Sequence, residues 1–234
     1  MATPAERGAR ARVAAPASHP TIILRQLGRA DYLPTVDAMR KFTATRGAGT
    51  PDELWVLEHP PVYTVGQAGR AEHLPRTSSI PLVQTDRGGQ ITYHGPGQAI
   101  VYVMVDLHRR GLTVRELVRR IEAGVISLLA EHGVAAVRRT GAPGVYVDGA
   151  KIAALGLRVR HGRSYHGVAL NVDMDLAPYT DIDPCGYPGL PVTHLVDLGI
   201  RLTPIQAGVA LAETVASELR SPTSVNTQTN YAPR

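Results

Sequence analysis

Apolar and polar positions change spacing repeatedly along the chain, and the changes predict strands interleaved with a few helices. Thr21 to Leu27 is rich in β-favouring residues. Asp31 to Thr45 has helical spacing, with Asp31 placed to cap it and Pro34 within the first turn. Leu54 to Leu57 and Val62 to Val65 read as short strands around the turn His59-Pro60-Pro61. Pro81 to Thr85 and Ile91 to Tyr93 follow, then the longer run Ala99 to Leu107. Its weak alternation suits a strand buried on both faces. Thr113 opens a helix, and Glu116 three residues on completes a capping box. Leu117, Ile121, Val125 and Leu128 give that helix one apolar face, and Gly133 stops it.

The plainest local signal is a hairpin, Gly144 to Val147 and Ala150 to Val159 flanking Asp148-Gly149. Tyr165 to Val172 is a further strand after a turn at His161 to Ser164. Asp173 to Pro191 is long, rich in Pro and Gly and expected to be irregular; such a loop inside a compact domain is usually functional or disordered. Thr203-Pro204-Ile205-Gln206 places an N-cap, an N1 proline and a capping partner in order, starting a helix to about Leu219. The predicted class is α+β, a mixed sheet packed with helices.

No internal repeat or linker interrupts the middle of the 234-residue chain, so residues 21–220 are expected to form one domain. Residues 1–20 are rich in Ala, Arg and Pro and predict a disordered extension, with a loose likeness to an organellar transit peptide as the alternative. The polar residues 221–234 predict a disordered tail. Hydrophobic residues, at 44%, suffice for a real core. No stretch approaches the roughly 20 apolar residues of a membrane span, and no secretory signal is recognised, so a cytoplasmic protein is expected. The net charge of +5 admits a nucleic-acid partner. Against that, the arginines are scattered, doubled only at Arg109-Arg110, Arg119-Arg120 and Arg138-Arg139, and aromatics at 5% are too few for an obvious stacking platform. Asp181 and Asp183 lack a His or Glu at ligand spacing, and His161 and His166 form no metal-binding pair, so no metal is expected.

Almost every cation is arginine; Lys41 and Lys151 are the two lysines. Lys41 falls on an exposed helix face. Taken alone, Lys151 reads as a surface lysine beside a turn. The single cysteine, Cys185, is either an inert buried thiol or a nucleophile. The most unusual segment is Arg87-Gly88-Gly89-Gln90-Ile91-Thr92-Tyr93-His94-Gly95-Pro96-Gly97-Gln98. Paired glycines let backbone N–H groups approach a ligand, though the segment is neither a P-loop nor a GxGxxG fingerprint.

The pattern Arg-Gly-Gly-x-x-Thr-Tyr-His-x-x-Gly-Gln-x-Ile-x-Tyr, here Arg87 to Tyr102, resembles the signature of lipoyl(octanoyl) transferases. The resemblance continues through Gly144-Val145-Tyr146, Lys151 to Gly156, Gly167 to Val172 and Pro184-Cys185-Gly186, covering roughly Ile22 to Leu198. Tyr187 departs from it, standing where an aliphatic residue is expected. The resemblance implies a fold like that of biotin and lipoate protein ligases. It implies transfer of an octanoyl group from octanoyl-acyl carrier protein to a lysine of lipoyl domains, in 2-oxoacid dehydrogenases and the glycine cleavage H protein, with no cofactor. It assigns Cys185 as the acyl-accepting nucleophile and Lys151 as the partner that lowers the thiol pKa and moves protons. Arg87, Gly88, Gly89, Gln90, Ile91, Thr92, Tyr93 and His94 should line the acyl pocket with Ala154, Leu155, Gly156, Gly167, Val168 and Ala169. The competing readings are an ATP-dependent lipoate–protein ligase of the same fold, which needs no nucleophilic cysteine, and a cysteine hydrolase with water as acceptor.

Overall fold

The computed structural model describes residues 21–70, 79–183 and 189–221. The expected N-terminal extension lies outside the described residues, as does the expected tail apart from Ser221, which ends the last helix. In chain order the elements are β1 (Ile22–Arg29), α1 (Tyr32–Thr45), β2 (Asp52–Glu58), β3 (Val62–Val65), β4 (Leu82–Gln84), β5 (Ile91–His94), β6 (Gln98–Met104), α2 (Leu107–Arg110), α3 (Val114–Glu131), β7 (Val137–Arg139), β8 (Ala142–Val147), β9 (Ala150–Arg160), β10 (Arg163–Asn171) and α4 (Pro204–Arg220).

Seven strands form the main sheet in the order β1-β2-β6-β10-β9-β8-β7, and β4-β3-β5 form a small one. The main sheet is mixed: β1 runs parallel to β2, and the other pairs are antiparallel. Strand β6 lies inside it with all seven residues buried, which explains its weak alternation. Ala99, Val101 and Val103 face α3 and α4, meeting Leu117, Ile121, Val125, Leu211 and Val215. Ile100, Tyr102 and Met104 face α1, meeting Val36 and Met39. A third cluster, with Tyr63, Tyr93, Met174 and Tyr179, lies under the small sheet. The expected α+β class, a mixed sheet packed with helices, is what the chain adopts.

The two capping boxes, Thr113 with Glu116 and Thr203 with Gln206, form as the sequence predicts. The Asp148-Gly149 turn has φ of 46° and 88°, as a tight two-residue hairpin requires. Three expectations are corrected and one strand is added. Asp31 occupies the N-cap of α1 but makes no side-chain capping bond. The strand expected through Leu107 stops at Met104, because Asp106 accepts a bond from Arg109 N at 3.0 Å and starts α2. The segment after Asp173 is not wholly irregular, since Ala177–Asp181 forms a 3-10 turn. Strand β7 was not foreseen; its three residues are exposed at the sheet edge and carry no apolar pattern.

A buried charge cluster joins α1, β2 and α2. The fully buried Asp52 carboxylate accepts from Arg46 Nη2 and Arg109 Nη2 at 2.5 Å each and from Arg110 Nε at 2.6 Å. Removing the acid leaves arginines without their counter-charge, and the Arg46 and Arg110 side chains are almost wholly buried. Asp52→Ala is therefore expected to cost about 3–5 kcal/mol, read as a lower midpoint in urea unfolding with an unchanged slope.

Candidate active site

The glycine-rich segment forms a loop laid against β9. Arg87 is buried and turned back onto β3, donating from Nη2 to the Thr64 carbonyl at 2.6 Å and from Nε to Thr64 Oγ1 at 3.2 Å. Gly88 N donates to the Leu157 carbonyl at 2.8 Å. Gly156 on β9 permits this contact, since a Cβ there would stand 2.9 Å from the Gly88 carbonyl. Next to the loop, Asp86 accepts from Tyr165 Oη at 2.6 Å, His166 Nε2 at 3.0 Å and Arg40 Nη2 at 3.3 Å. Burial pushes the Asp86 carboxyl up, but these donors outweigh it and hold it well below the usual carboxylate range.

Beneath the loop runs a narrow cavity of about 50 Å³. Of the residues expected there, Arg87, Gly89, Gln90, Ile91, Thr92 and His94 line it. So do Ala154, Leu155 and Gly156 from β9 and Gly167, Val168 and Ala169 from β10. Gly167 lets β6 and β10 close on each other, because a Cβ would lie 2.0 Å from the Val101 carbonyl. Gly88 and Tyr93 are not in the lining. Tyr93 packs instead under the small sheet, where its ring meets Tyr63 at 5.6 Å and Tyr179 at 5.7 Å.

Lys151 also lines the cavity and is only 3% exposed, so the reading as a surface lysine fails. A β-bulge puts it there. Val145 pairs with Ala153 but Tyr146 pairs with Lys151, leaving Ile152 as an extra residue on β9. Ile152 and Ala153 consequently both join the helix-covered core, while Lys151 shares the cavity face with Ala154. Its Nζ lies 5.3 Å from the Tyr146 ring centroid. Its backbone is held on the other side, with N donating to the Pro191 carbonyl at 2.8 Å and its carbonyl accepting from Thr193 N at 3.0 Å. Cys185 lies outside the described residues; on either side of that gap, Tyr179 and Val192 line the same cavity.

Tyr32, Ile100, Tyr102, His166, Asn171 and Tyr179 were not anticipated from sequence. Among them His166 stands out. Its φ of 60° is left-handed, a conformation that costs a non-glycine residue about 1–3 kcal/mol. The twist stacks the adjacent Tyr165 and His166 rings on one side of the strand, 5.1 Å apart. Three buried histidines surround this region, and burial pushes all of them down: His59 and His166 to about 4, and His94 to about 3. All are therefore neutral at physiological pH. His59 donates from Nδ1 to the Ala30 carbonyl at 2.6 Å, so its Nε2 accepts from Tyr102 Oη at 2.7 Å. Among the described residues no group of three or more His, Cys, Asp or Glu side chains is arranged to hold a metal ion.

The model of the lipoyl protein ligase A/B catalytic domain matches residues 31–214. An octanoyltransferase from Aromatoleum aromaticum is 65% identical over 185 residues, covering 79% of this chain and 80% of that protein. One from Thiobacillus denitrificans is 61% identical over 202 residues, covering 86% and 93%. Among solved structures, the bipartite lipoate protein ligase from Thermoplasma acidophilum superposes with a TM-score of 0.67 at 16% identity, covering 85% of this chain and 84% of that one. The biotin protein ligase from Aquifex aeolicus, in complex with biotin and ATP, gives 0.53 at 12% identity, covering 84% and 70%. At such low identity these two show a common fold, the one the sequence resemblance implied.

Proposed function

Because the chain belongs to the lipoyl protein ligase A/B catalytic-domain family, we propose that it is an acyltransferase moving an octanoyl group from acyl carrier protein to a lysine of lipoyl domains through a thioester on Cys185. Relatives near 60% identity are octanoyltransferases, whereas the ligases resemble it only at the level of fold. That contrast favours transferase over ATP-dependent ligase. The observation that carries the site assignment is Lys151, a buried amine in the lining of a mostly apolar cavity, set there by the Ile152 bulge. Arginine is this chain's default cation, and a site that needs an amine able to lose its proton needs lysine.

The reaction closes on itself. The Cys185 thiolate attacks the donor thioester carbonyl, and the tetrahedral intermediate collapses by breaking the bond to the carrier sulfur. The Lys151 ammonium gives that sulfur its proton and becomes a neutral amine. The acceptor lysine, as free amine, then attacks the Cys185 thioester and passes its surplus proton to Lys151. The amide forms, the Cys185 thiolate leaves, and the starting ion pair is restored. The donors we assign are octanoyl-acyl carrier proteins, and the acceptors are lipoyl domains of 2-oxoacid dehydrogenases and the glycine cleavage H protein. No helix among the described residues is long and apolar enough to cross a membrane. We assign the reaction to the cytoplasm, where a lone thiol stays reduced.

A thioester donor already carries the driving force for amide formation. Transfer from octanoyl-acyl carrier protein to a lipoyl domain should therefore proceed at full rate with EDTA and apyrase present. Activity lost under those conditions, and restored by ATP and Mg²⁺ with free octanoate, would establish the ligase instead.

A further inference from the structure

A saturated acyl chain has no hydrogen-bonding group beyond its carbonyl, and in the proposed reaction that carbonyl sits with Lys151. Yet His94 from β5 and His166 from β10 both face the cavity, each with one ring nitrogen committed elsewhere. His94 Nδ1 lies 2.7 Å from Gln98 Oε1. The Gln98 orientation is fixed by groups that can only accept. Its Nε2 lies 3.3 Å from the Tyr93 carbonyl and 3.0 Å from Asn171 Oδ1. Asn171 is fixed in turn by donating from Nδ2 to the Thr193 carbonyl at 2.9 Å. So His94 Nδ1 must donate, and His94 Nε2 carries a lone pair. His166 Nε2 donates to the Asp86 carboxylate at 3.0 Å, which leaves its Nδ1 as a lone pair too. Burial keeps both rings neutral.

Neither acceptor meets a donor among the described residues. His166 Nδ1 is fully buried and unpartnered, on a residue held in a strained conformation. The two rings reach the one cavity from different strands, His94 from β5 and His166 from β10. A donor carried in on the acyl chain would complete either acceptor.

Resting on the acyl-pocket reading, we propose that the cavity takes acyl chains bearing a hydroxyl group, the hydroxyl donating to the free nitrogen of His94 or His166. The test uses the full chain and calorimetric binding of octanoic acid and its monohydroxy isomers, with the hydroxyl walked from carbon 3 to carbon 8. A purely apolar pocket would leave the hydroxyl unpartnered and weaken every isomer by about tenfold or more. We expect instead at least one isomer to bind as tightly as octanoic acid or tighter. His94→Phe or His166→Phe should then weaken that isomer about tenfold relative to octanoic acid on the same variant. The wild-type series decides the matter even where a variant fails to fold: every isomer weaker than octanoic acid overturns the proposal. A tight isomer indifferent to both histidine substitutions overturns their assignment. Failure of octanoic acid itself to bind would remove the acyl-pocket reading along with this one.

Discussion

Lys151→Arg should lose about 10²- to 10⁴-fold in octanoyl transfer while still acylating Cys185 slowly. The substitution keeps the charge, so it separates the two roles assigned to the amine. A cation near the thiol favours the thiolate over a free thiol whose pKa is about 8.5, and a guanidinium does this in part. The second half-reaction needs a group that arrives neutral and leaves protonated. A guanidinium with a pKa above about 12 stays protonated throughout and cannot take the proton of the incoming lysine. Lys151→Ala should be poor at both steps. A quenched assay that counts acyl-enzyme and amide product separately checks this. Lys151→Arg turning over near the wild-type rate would leave only the electrostatic role standing. The buried setting of Lys151, beside the Tyr146 ring, makes the comparison between half-reactions more telling than the overall rate, because crowding by the larger group would slow both alike.

Cys185→Ala should abolish covalent octanoylation and reduce turnover on the order of 10³-fold or more, since direct attack by the acceptor lysine would forfeit the relay. Intact-mass measurement after incubation with octanoyl-acyl carrier protein should show one octanoyl adduct on the wild-type chain and none on the variant. As Cys185 is the chain's single cysteine, a surviving adduct would place the nucleophile on a different residue type. Turnover retained without an adduct would mean direct transfer between donor and acceptor.

Much of the site could be read from sequence where its signal is local. The Arg87 segment is one continuous stretch with unusual glycine usage, and six of its first eight residues line the cavity. Lys151 is conspicuous because it breaks a compositional habit. The residues that escaped are brought in by packing. Tyr32 comes from α1, Tyr102 from β6 and Tyr179 from a 3-10 turn, and none carries a local mark distinguishing it from an ordinary core aromatic. His166 had one faint sign, its place before Gly167, but its left-handed backbone breaks the alternation by which a strand face is read. The same limit applies to the fold. Capped helices and the Asp-Gly hairpin are written in neighbouring residues, whereas β7 is a strand only because β8 lies beside it.

The bulge at Ile152 makes the length of β9 a chemical variable. On a regular strand Lys151 and Ala154 would point to opposite faces, so whether the amine faces the cavity depends on one surplus residue that is not itself in the lining. Evolution within this fold can therefore tolerate many exchanges at Ile152 that keep its volume in the core. Deleting Ala150 or Ile152 would move the amine to the other face of the strand without changing any residue that lines the cavity. Inheritance of the lysine is thus inseparable from inheritance of the spacing, and comparing the count of residues after Asp148-Gly149 is as informative about a relative's capacity for this reaction as finding a lysine in the column.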